Sequence, residues 1–292
     1  MTRKTGQLGV SVTSVLVRRV DGGQESAALD QVAVEEPLEI SVLYSHNGSK
    51  RSRAIAVTMR TPGHDDELAA GFLLSEGVLH ARKQIESVRV LGSDAAASNQ
   101  IQVELANSVE FEEERFTRHF YMSSSCGICG KASIENIETL GSFAIDPSKP
   151  ILNASLIAGF PERLRQAQEI FAATGGLHAA ALFSMDGTFV ALREDVGRHN
   201  AVDKVLGNLL LQGAIPATNS ILVLSGRLSF ELVQKAVVAG IPVILAIGAP
   251  SSLAIELGKR FQLTLVGFLR GKKFNVYSGE QRLTRLRTGP LS

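Results

Sequence analysis

Residues 221–247 form the stretch ILVLSGRLSFELVQKAVVAGIPVILAI, which decides the fold. Apolar residues dominate positions 221–225 and 243–247, and each run has the length of a buried strand. The segment between them, 229–239, has the pattern of a helix. A strand, a helix and a second strand in this order predict a sheet covered by helices, so we expect an α/β chain.

The same alternation continues on both sides of this stretch. We expect helices over residues 156–172, 198–211 and 252–260, and strands over residues 178–185, 188–192, 263–269 and 274–277. The linker-like sequence DPSKP at 146–150 places a domain boundary nearby. The C-terminal unit is therefore predicted to be a layered α/β domain over residues 146–292.

The first half of the chain predicts a β-rich subdomain over residues 1–145. Strands are expected over residues 10–19, 38–44, 53–60, 85–91 and 101–105. Asn47 and Gly48 suit a tight hairpin turn, because both residues tolerate positive φ. A helix should begin at Asp65 or Asp66, either of which can cap it, and should end before Gly77.

The bulk composition excludes several partners. Thirty basic residues face 29 acidic ones, a net charge of +1, so no bulk attraction to nucleic acid or anionic membrane is expected. The most apolar window, residues 240–249, is too short to cross a bilayer. The N-terminus has no apolar stretch after its basic residues, so a secretory signal is not expected. These features predict a cytoplasmic protein without a nucleic-acid or membrane partner.

The two cysteines, Cys126 and Cys129, are the only ones in the chain, and they lie in a loop of Ser and Gly over residues 121–131. A thiolate is the nucleophilic form of cysteine, and a helix N-terminus or a nearby cation lowers the thiol pKa. Cys129 precedes a predicted helix start near Lys131, which favours the thiolate. The pair is therefore predicted to be reactive and exposed.

The sequence disfavours three other roles for this cysteine pair and leaves two open. Buried structural thiols are disfavoured because a Gly- and Ser-rich loop makes a poor core. Zinc would need two more ligands, and the chain has no further cysteine and no H-x-x-x-H pair. A zinc deaminase is disfavoured because no histidine has Glu two positions later. A thioredoxin-like redox pair and a sulfur carrier both remain open from the motif alone.

Polar residues cluster where predicted strands meet predicted helices, which is where α/β proteins bind ligands. The candidate ligand-binding residues are His178, Asp195, His199, Ser225, Arg227 and Ser251, followed by the turn Phe268, Leu269, Arg270, Gly271, Lys272 and Lys273. Each has a plainer explanation: a structural His178, a helix cap at Asp195, serine caps and a solvated basic turn. Together they predict a site for the phosphates of a nucleotide.

With these blocks in order, the sequence resembles the FdhD family, the formate dehydrogenase accessory sulfur carriers. The resemblance rests on TPGHDDELAAGFLLSEG (61–77), CGICG (126–130), TGGLHAAALF (174–183), REDVGRHNAVDKVLG (193–207), SGRLSFELVQKA (225–236) and LTLVGFLRGKKFNVYSG (263–279). It covers about residues 30 to 282, and the motifs occur in the family's order.

The resemblance implies a sulfurtransferase that carries sulfur as a persulfide on Cys126. It implies a cysteine desulfurase as sulfur donor and, as bound substrate, the bis-molybdopterin guanine dinucleotide form of the molybdenum cofactor. The cofactor-binding segment maps to Phe268–Lys273, and the catalytic subunit of formate dehydrogenase receives the product. The family also implies a homodimer and a C-terminal fold similar to cytidine deaminase, without a protein-bound metal.

The chemistry of the cysteine pair leaves alternatives open. Cys129 lies just before a predicted helix, and this position favours it as the better nucleophile. The resemblance instead assigns the persulfide to Cys126. A thiol-disulfide oxidoreductase would cycle a Cys126–Cys129 disulfide and carry little persulfide. A non-catalytic chaperone that protects a nucleotide cofactor would not need either thiol.

Overall fold

A computed structural model describes residues 8–92, 99–113, 143–149 and 151–284 of the chain. The element numbers used below count the helices and strands of these residues. Cys126, Cys129 and the predicted cysteine loop 121–131 lie outside the described residues. Within them, no helix is long and apolar enough to cross a membrane.

The N-terminal part holds two sheets. A short helix α1 (Leu8–Ser11) leads into a two-stranded antiparallel ribbon of β1 (Val12–Asp21) and β2 (Gln24–Ala33). The second sheet has the strand order β4-β3-β6-β5 and comprises β3 (Glu36–His46), β4 (Ser49–Arg60), β5 (Ile85–Val90) and β6 (Gln100–Leu105). Helix α2 (Asp65–Ser75) follows β4, and a 3₁₀ turn (Arg82–Gln84) precedes β5.

The C-terminal part is built on a six-stranded sheet with the order β12-β11-β10-β9-β7-β8. Its elements in chain order are α3 (Ala154–Ile157), α4 (Phe160–Ala167), α5 (Glu169–Thr174), β7 (His178–Ser184), β8 (Phe189–Asp195), α6 (Arg198–Leu211), β9 (Ser220–Leu224), α7 (Phe230–Val238), β10 (Val243–Ala246), α8 (Ser252–Arg260), β11 (Thr264–Arg270), β12 (Lys273–Ser278) and a 3₁₀ turn (Glu280–Arg282). Strands β9, β10 and β11 are parallel, and the outer pairs are antiparallel.

The central strands are apolar on both faces because both faces are covered. In β9, Leu222 and Leu224 belong to the core beneath α6, α7 and α8, whereas Ile221 and Val223 belong to the core beneath α3 and α4. The first core continues without a break into the four-stranded sheet and α2. The two halves of the chain therefore share one hydrophobic core.

Most predicted elements are confirmed, and so is the mixed α/β class. Helices α6 and α8 have the predicted bounds, and the hairpin turn at Asn47 and Gly48 has φ of 49° and 75°. The helix before Gly77 ends as expected, with Gly77 at φ 70°. The domain boundary near residue 145 and the likeness to cytidine deaminase stay predictions.

Two expectations about local structure are wrong. Neither Asp65 nor Asp66 caps α2, because His64 takes the cap position with φ 57° and Asp65 instead accepts bonds from Arg60. The single helix over 156–172 is three short helices, since Pro161 lacks the N–H that would continue α3 into α4.

Strand β2 was not predicted at all. Its sequence, QESAALDQVA, has few β-branched residues and does not alternate, because the ribbon lies mostly in solvent. The available signal was the turn at Gly22 and Gly23, where both residues have positive φ.

Helices α2 and α6 cross with their backbones in contact. A Cβ atom on Gly71 would lie 1.8 Å from the carbonyl oxygen of Asp203, and one on Gly207 would lie 1.8 Å from that of Glu67. Only glycine leaves room for this approach. The close crossing fixes the N-terminal part of the chain on the helix layer of the C-terminal sheet.

Buried polar contacts surround the two glycines. Glu67 accepts hydrogen bonds from Arg193 and from Asn208 Nδ2, the latter at 2.8 Å. Burial alone would raise the pKa of Glu67, but the hydrogen bonds from Arg193 and His64 outweigh it and lower the pKa to about 2. Glu67 therefore stays ionised and holds β8 and α6 together with α2.

Arg282 fixes the segment that joins the two halves. Its side chain is fully buried and donates to the carbonyl oxygens of Asp146 at 2.6 Å, Lys149 at 3.2 Å and Gln262. A planar guanidinium with five donors suits such a set of converging carbonyls. Residues 146–149 are thereby held against the start of β11.

Replacing Gly207 with Ala should destabilise the protein by about 3 kcal/mol, the upper end of the cost of overpacking, since the new methyl group meets backbone. Chemical denaturation followed by circular dichroism measures this change. Gly159→Ala is the control, because a Cβ there lies 3.5 Å from its nearest neighbour, Leu156 O. Equal stability of the two variants would contradict the close crossing.

Candidate functional site

One edge of the six-stranded sheet collects every predicted ligand-binding residue. The parallel strands β9, β10 and β11 all end at this edge, and their following loops begin at Ser225, Ile247 and Gly271. Strand β7 runs the other way and starts there with His178, which pairs with Asp195 at the end of β8. Ligands of α/β proteins bind at the carboxyl ends of parallel strands, so this edge is the candidate site.

The loops after β9 and β10 are joined backbone to backbone. Gly248 N donates to Gly226 O at 3.0 Å, and Leu228 N donates to Ala249 O at 3.0 Å. A Cβ on Gly248 would lie 2.7 Å from Gly226 O, so a side chain there would push the loops apart. Phe268 N then donates to Gly248 O at 3.1 Å and joins the end of β11 to the same layer.

The serines predicted to bind a ligand have different local roles. Ser225 Oγ accepts a bond from Ala179 N at 2.8 Å and so fastens β9 to β7. Ser251 caps α8, since its Oγ accepts from Ala254 N at 3.2 Å. Both hydroxyls keep spare bonding capacity, because a hydroxyl both donates and accepts. Ser251 is exposed and Ser225 is partly exposed at the edge.

His178 lies half-buried between these loops. A Cβ on Gly226 would lie only 3.2 Å from His178 Nδ1, so glycine at 226 leaves space for the ring. Burial lowers the pKa of His178, and the charge of Arg198 adds to the effect. The neutral imidazole therefore predominates near neutral pH and offers one donor and one acceptor.

Cations surround this histidine. The charges of Arg198, His199 and Arg227 all act on His178, and each lowers its pKa. No carboxylate of the described residues forms an ion pair with Arg198 or Arg227. Arg198 Nε is also buried without a hydrogen-bond partner there. The edge thus has an uncompensated positive charge that suits an anion.

His199 is oriented by its neighbours. Its Nε2 lies 3.4 Å from Ser229 Oγ and 3.4 Å from Glu231 Oε2. The hydrogen bond from His199 is the main reason that the pKa of Glu231 falls to about 2. Glu231 therefore stays ionised, and its charge is directed to His199 rather than to the arginines.

Asp195 has no exposed surface, so its contact with a ligand would run through its neighbours. It does not cap α6, whose cap is Gly197. Its carboxylate accepts from Gly197 N at 2.8 Å and from Thr61 N at 3.2 Å, and it pairs with Lys204 Nζ at 2.7 Å. The residue anchors the start of α6 to the chain that follows β4.

Glu194 performs a similar function for the loop before β7. It is buried, and its two oxygens accept from Ile170 N at 2.9 Å and Phe171 N at 2.7 Å. These N–H groups belong to the first turn of α5, which ends at Gly175 with φ 70°. Glu194 thereby positions the Gly175-Gly176 segment that leads into His178.

The basic turn lies at the end of β11. Leu269 is fully buried and anchors the segment, whereas Phe268 is 43% exposed and has φ 52°. The exposed residues Arg270, Gly271, Lys272 and Lys273 follow. Among the described residues, none of these three cations has an ion-pair partner, so the turn adds a second group of free cations at the same edge.

The structure thus brings together all of the predicted ligand-binding residues. The catalytic candidates Cys126 and Cys129 lie outside the described residues. Across 8–92, 99–113, 143–149 and 151–284, no group of three metal-ligating side chains is close enough to hold an ion.

Sequence reasoning missed several residues that shape this edge: Thr61, Glu194, Arg198, Asn200, Lys204, Ser229 and Glu231. Glu194, Arg198 and Asn200 do lie in the motif 193–207, which carries part of the family resemblance. No signal in the sequence links Thr61 to that block, because more than a hundred residues separate them.

The sequence matches the model of the FdhD/NarQ family over residues 33–284. A protein of Streptomyces avermitilis described as "Sulfur carrier protein FdhD" is 48% identical over 272 residues, which cover 91% of this chain and 94% of the relative. Proteins with the same description from Mycobacterium tuberculosis and Sulfolobus acidocaldarius are 46% and 42% identical, over 95% and 94% of this chain and 100% and 99% of theirs.

A solved structure has the same fold. The crystal structure of a proposed formate dehydrogenase accessory protein from Desulfotalea psychrophila aligns with a TM-score of 0.71 and 26% sequence identity. The alignment covers 94% of this chain and 100% of that one.

Replacing Arg227 with Gln should raise the pKa of His178, because it removes one of the cations that oppose protonation. NMR titration of the His178 ring in the two proteins measures the shift. Lys259→Gln, which removes an exposed cation from the far end of α8, should leave the titration unchanged. A His178 pKa that stays the same or falls in Arg227→Gln would rule out the cationic cluster.

Proposed function

Because the chain belongs to the FdhD/NarQ family, we propose that it is a sulfur carrier protein required for formate dehydrogenase activity. The observation that carries the proposal is the convergence of unpaired cations and small loops at one edge of the six-stranded sheet. Such an edge suits a ligand with several phosphates. The reactive thiols required for sulfur transfer are assigned from the sequence.

In the proposed reaction, the Cys126 thiolate attacks the terminal sulfur of a persulfide on a cysteine desulfurase. A new S–S bond forms on Cys126, the donor's S–S bond breaks, and the donor cysteine leaves as a thiolate. No external oxidant is needed, since the transferred sulfur keeps its oxidation state. Cys129 shares the sulfur or resolves the persulfide. The exchange belongs in the cytoplasm, where thiols stay reduced.

The sheet edge binds the acceptor in this proposal. The acceptor is the bis-guanine-dinucleotide molybdenum cofactor, held as a substrate, with its phosphates on the cations of the edge. Arg198 and Arg227 beside His178 supply one anion subsite, and the turn Arg270–Lys273 supplies the other. Ser225 and Ser251 offer hydroxyl groups to the guanine or the ribose.

Delivery of the sulfur completes the cycle. When Cys129 resolves the persulfide, its thiolate attacks Cys126 Sγ, the Cys126 S–S bond to the outer sulfur breaks, a Cys126–Cys129 disulfide forms, and the outer sulfur leaves as hydrosulfide for the cofactor. A thiol reductant then restores both thiols, and the loaded cofactor passes to the catalytic subunit of formate dehydrogenase. The carrier works as a homodimer in this proposal. The closest competitors are a thiol-disulfide oxidoreductase and a cofactor chaperone, and both are outcomes of the sulfur-transfer test.

Cys126→Ala should abolish sulfur loading, because the attacking thiolate is gone. The protein is incubated with a cysteine desulfurase and ³⁵S-labelled cysteine, and labelled peptides are mapped by mass spectrometry. The wild type should carry label on the peptide that contains both cysteines, and Cys126→Ala should fall to background. Cys129→Ala is the matched control and should still accept sulfur.

Two other results would redirect the assignment. A Cys126–Cys129 disulfide that cycles with a reductant, without label, would favour the oxidoreductase. Full activation of formate dehydrogenase by Cys126→Ala would favour the chaperone. If Cys126→Ala keeps the label and Cys129→Ala loses it, the persulfide is assigned to Cys129.

GDP serves as a probe of the cofactor's nucleotide. It should bind about tenfold more weakly to Arg227→Gln and to the double variant Lys272→Gln/Lys273→Gln than to the wild type. The reason is that each variant loses a charged hydrogen bond to phosphate. Calorimetry measures the affinities, with Lys259→Gln as the control. Bound phosphate favours protonated His178, so the affinity should rise as the pH falls through the His178 pKa. Equal GDP affinity in the wild type, both cation variants and the control would show that the anion site does not lie at this edge.

A further inference from the structure

The ribbon of β1 and β2 has an uncovered apolar face. Leu16 pairs directly with Leu29 across the two strands, and the two side chains are 75% and 72% exposed. Val20 lies further along the same face and is 63% exposed, since every second residue of a strand points the same way. On the same face, Arg18 lies between Leu16 and Val20 on β1, and Glu25 lies opposite Val20 on β2. Arg18 and Glu25 form an ion pair at 3.2 Å.

The opposite face of the ribbon is not equivalent. Val17, Ala28 and Val32 alternate with the exposed leucines and are partly buried. Strand β2 contacts helix α5. The ribbon therefore has one face that rests on the body of the protein and one that carries leucines into solvent.

A two-stranded ribbon with exposed leucines is marginally stable on its own in water. Natural proteins avoid long apolar strand pairs in solvent because such strands attract other chains. A covering partner would bury the leucines and stabilise the ribbon.

We propose that the leucine face of the β1–β2 ribbon packs against the same face of a second copy of this chain. The proposal rests on the homodimer in the proposed function and assigns its contact surface. It makes the ribbon an arm that holds the two copies together.

Charge complementarity favours a second copy. The face carries one cation on β1, Arg18, and one carboxylate on β2, Glu25. A two-fold axis along the ribbon sets β1 of one copy against β2 of the other. Each Arg18 then lies near the Glu25 of the opposite copy, and Leu16 meets Leu29. The face is thus neutral and complementary to itself.

The dimensions of the ribbon give it part of such an interface. Each strand has 10 residues, which gives a length of about 34 Å. Two strands about 5 Å apart make the face roughly 10 Å wide, so it supplies roughly 340 Å² of the about 800 Å² that a stable interface buries on each partner. The base of the ribbon is fixed to the body, since Ser11 Oγ donates to Pro62 O at 2.8 Å. Val57 and Met59 of β4 are also exposed, and Met59 pairs with Pro37, four residues after the end of β2.

The ribbon is also connected to the candidate site. Helix α5, on which β2 rests, is held by Glu194 and leads through Gly175 and Gly176 to His178. A second copy that covers the ribbon therefore stabilises the layer that carries one wall of the site.

The test uses the full chain and compares Leu16→Ser and Leu29→Ser with Val190→Ser. Val190 is 48% exposed in the β7–β8 hairpin and serves as the matched control. Light scattering after size-exclusion chromatography gives the mass of each protein over a hundredfold range of concentration. The wild type and Val190→Ser should be dimers, and each leucine variant should dissociate at least tenfold more readily.

Hydrogen exchange provides a second measurement that needs no variant. In the wild type, amides of β1 and β2 should exchange more slowly at high than at low protein concentration. Dimers of unchanged stability in both leucine variants would place the interface elsewhere and overturn the proposal, while leaving the homodimer intact. A wild type that stays monomeric at every concentration would overturn both, and neither result would affect the sulfur-loading test.

Discussion

The backbone contact between α2 and α6 is the constraint on which the rest of the structure depends. At Gly71 and Gly207 the two helices approach so closely that no side chain fits between them. Helix α6 lies on the six-stranded sheet, and α2 belongs to the part built on the four-stranded sheet. Their contact lets the two sheets share one core.

Buried charges give this contact a fixed register. Glu67 bonds to Arg193 on β8 and to Asn208 on α6, and Asp203 pairs with Lys235 at 2.7 Å. A buried ion pair adds little net stability, but a shift of the helices would leave charges unpaired at a high cost. These pairs therefore specify one arrangement of the two halves.

The same arrangement builds the candidate site. Because α2 is fixed on α6, the chain before it brings Thr61 to Asp195, and Lys204 closes the contact with a bond to Thr61 O at 2.8 Å. Asp195 and Glu194 then hold the start of α6 and the loop before β7. The cations of the edge keep their charge available, since the buried carboxylates already bond to other groups.

The sequence by itself determined the alternation of strands and helices in the C-terminal half, the hairpin at Asn47 and Gly48, and the polar residues of the sheet edge. Apolar periodicity and turn chemistry are local, so they survive without knowledge of the fold. The same local rules could not detect β2, which has no buried face to impose a pattern.

Only the tertiary structure decided which distant residues meet. Gly71 contacts Asp203 and Thr61 contacts Asp195, although each pair is more than a hundred residues apart in the chain. Glu194 bonds to the first turn of α5, a short helix whose start the sequence pattern did not predict. The uncovered leucines of the ribbon also became visible only in three dimensions. The physical reason is that burial and pairing are properties of packed surfaces, whereas a sequence specifies only the residues from which those surfaces are made.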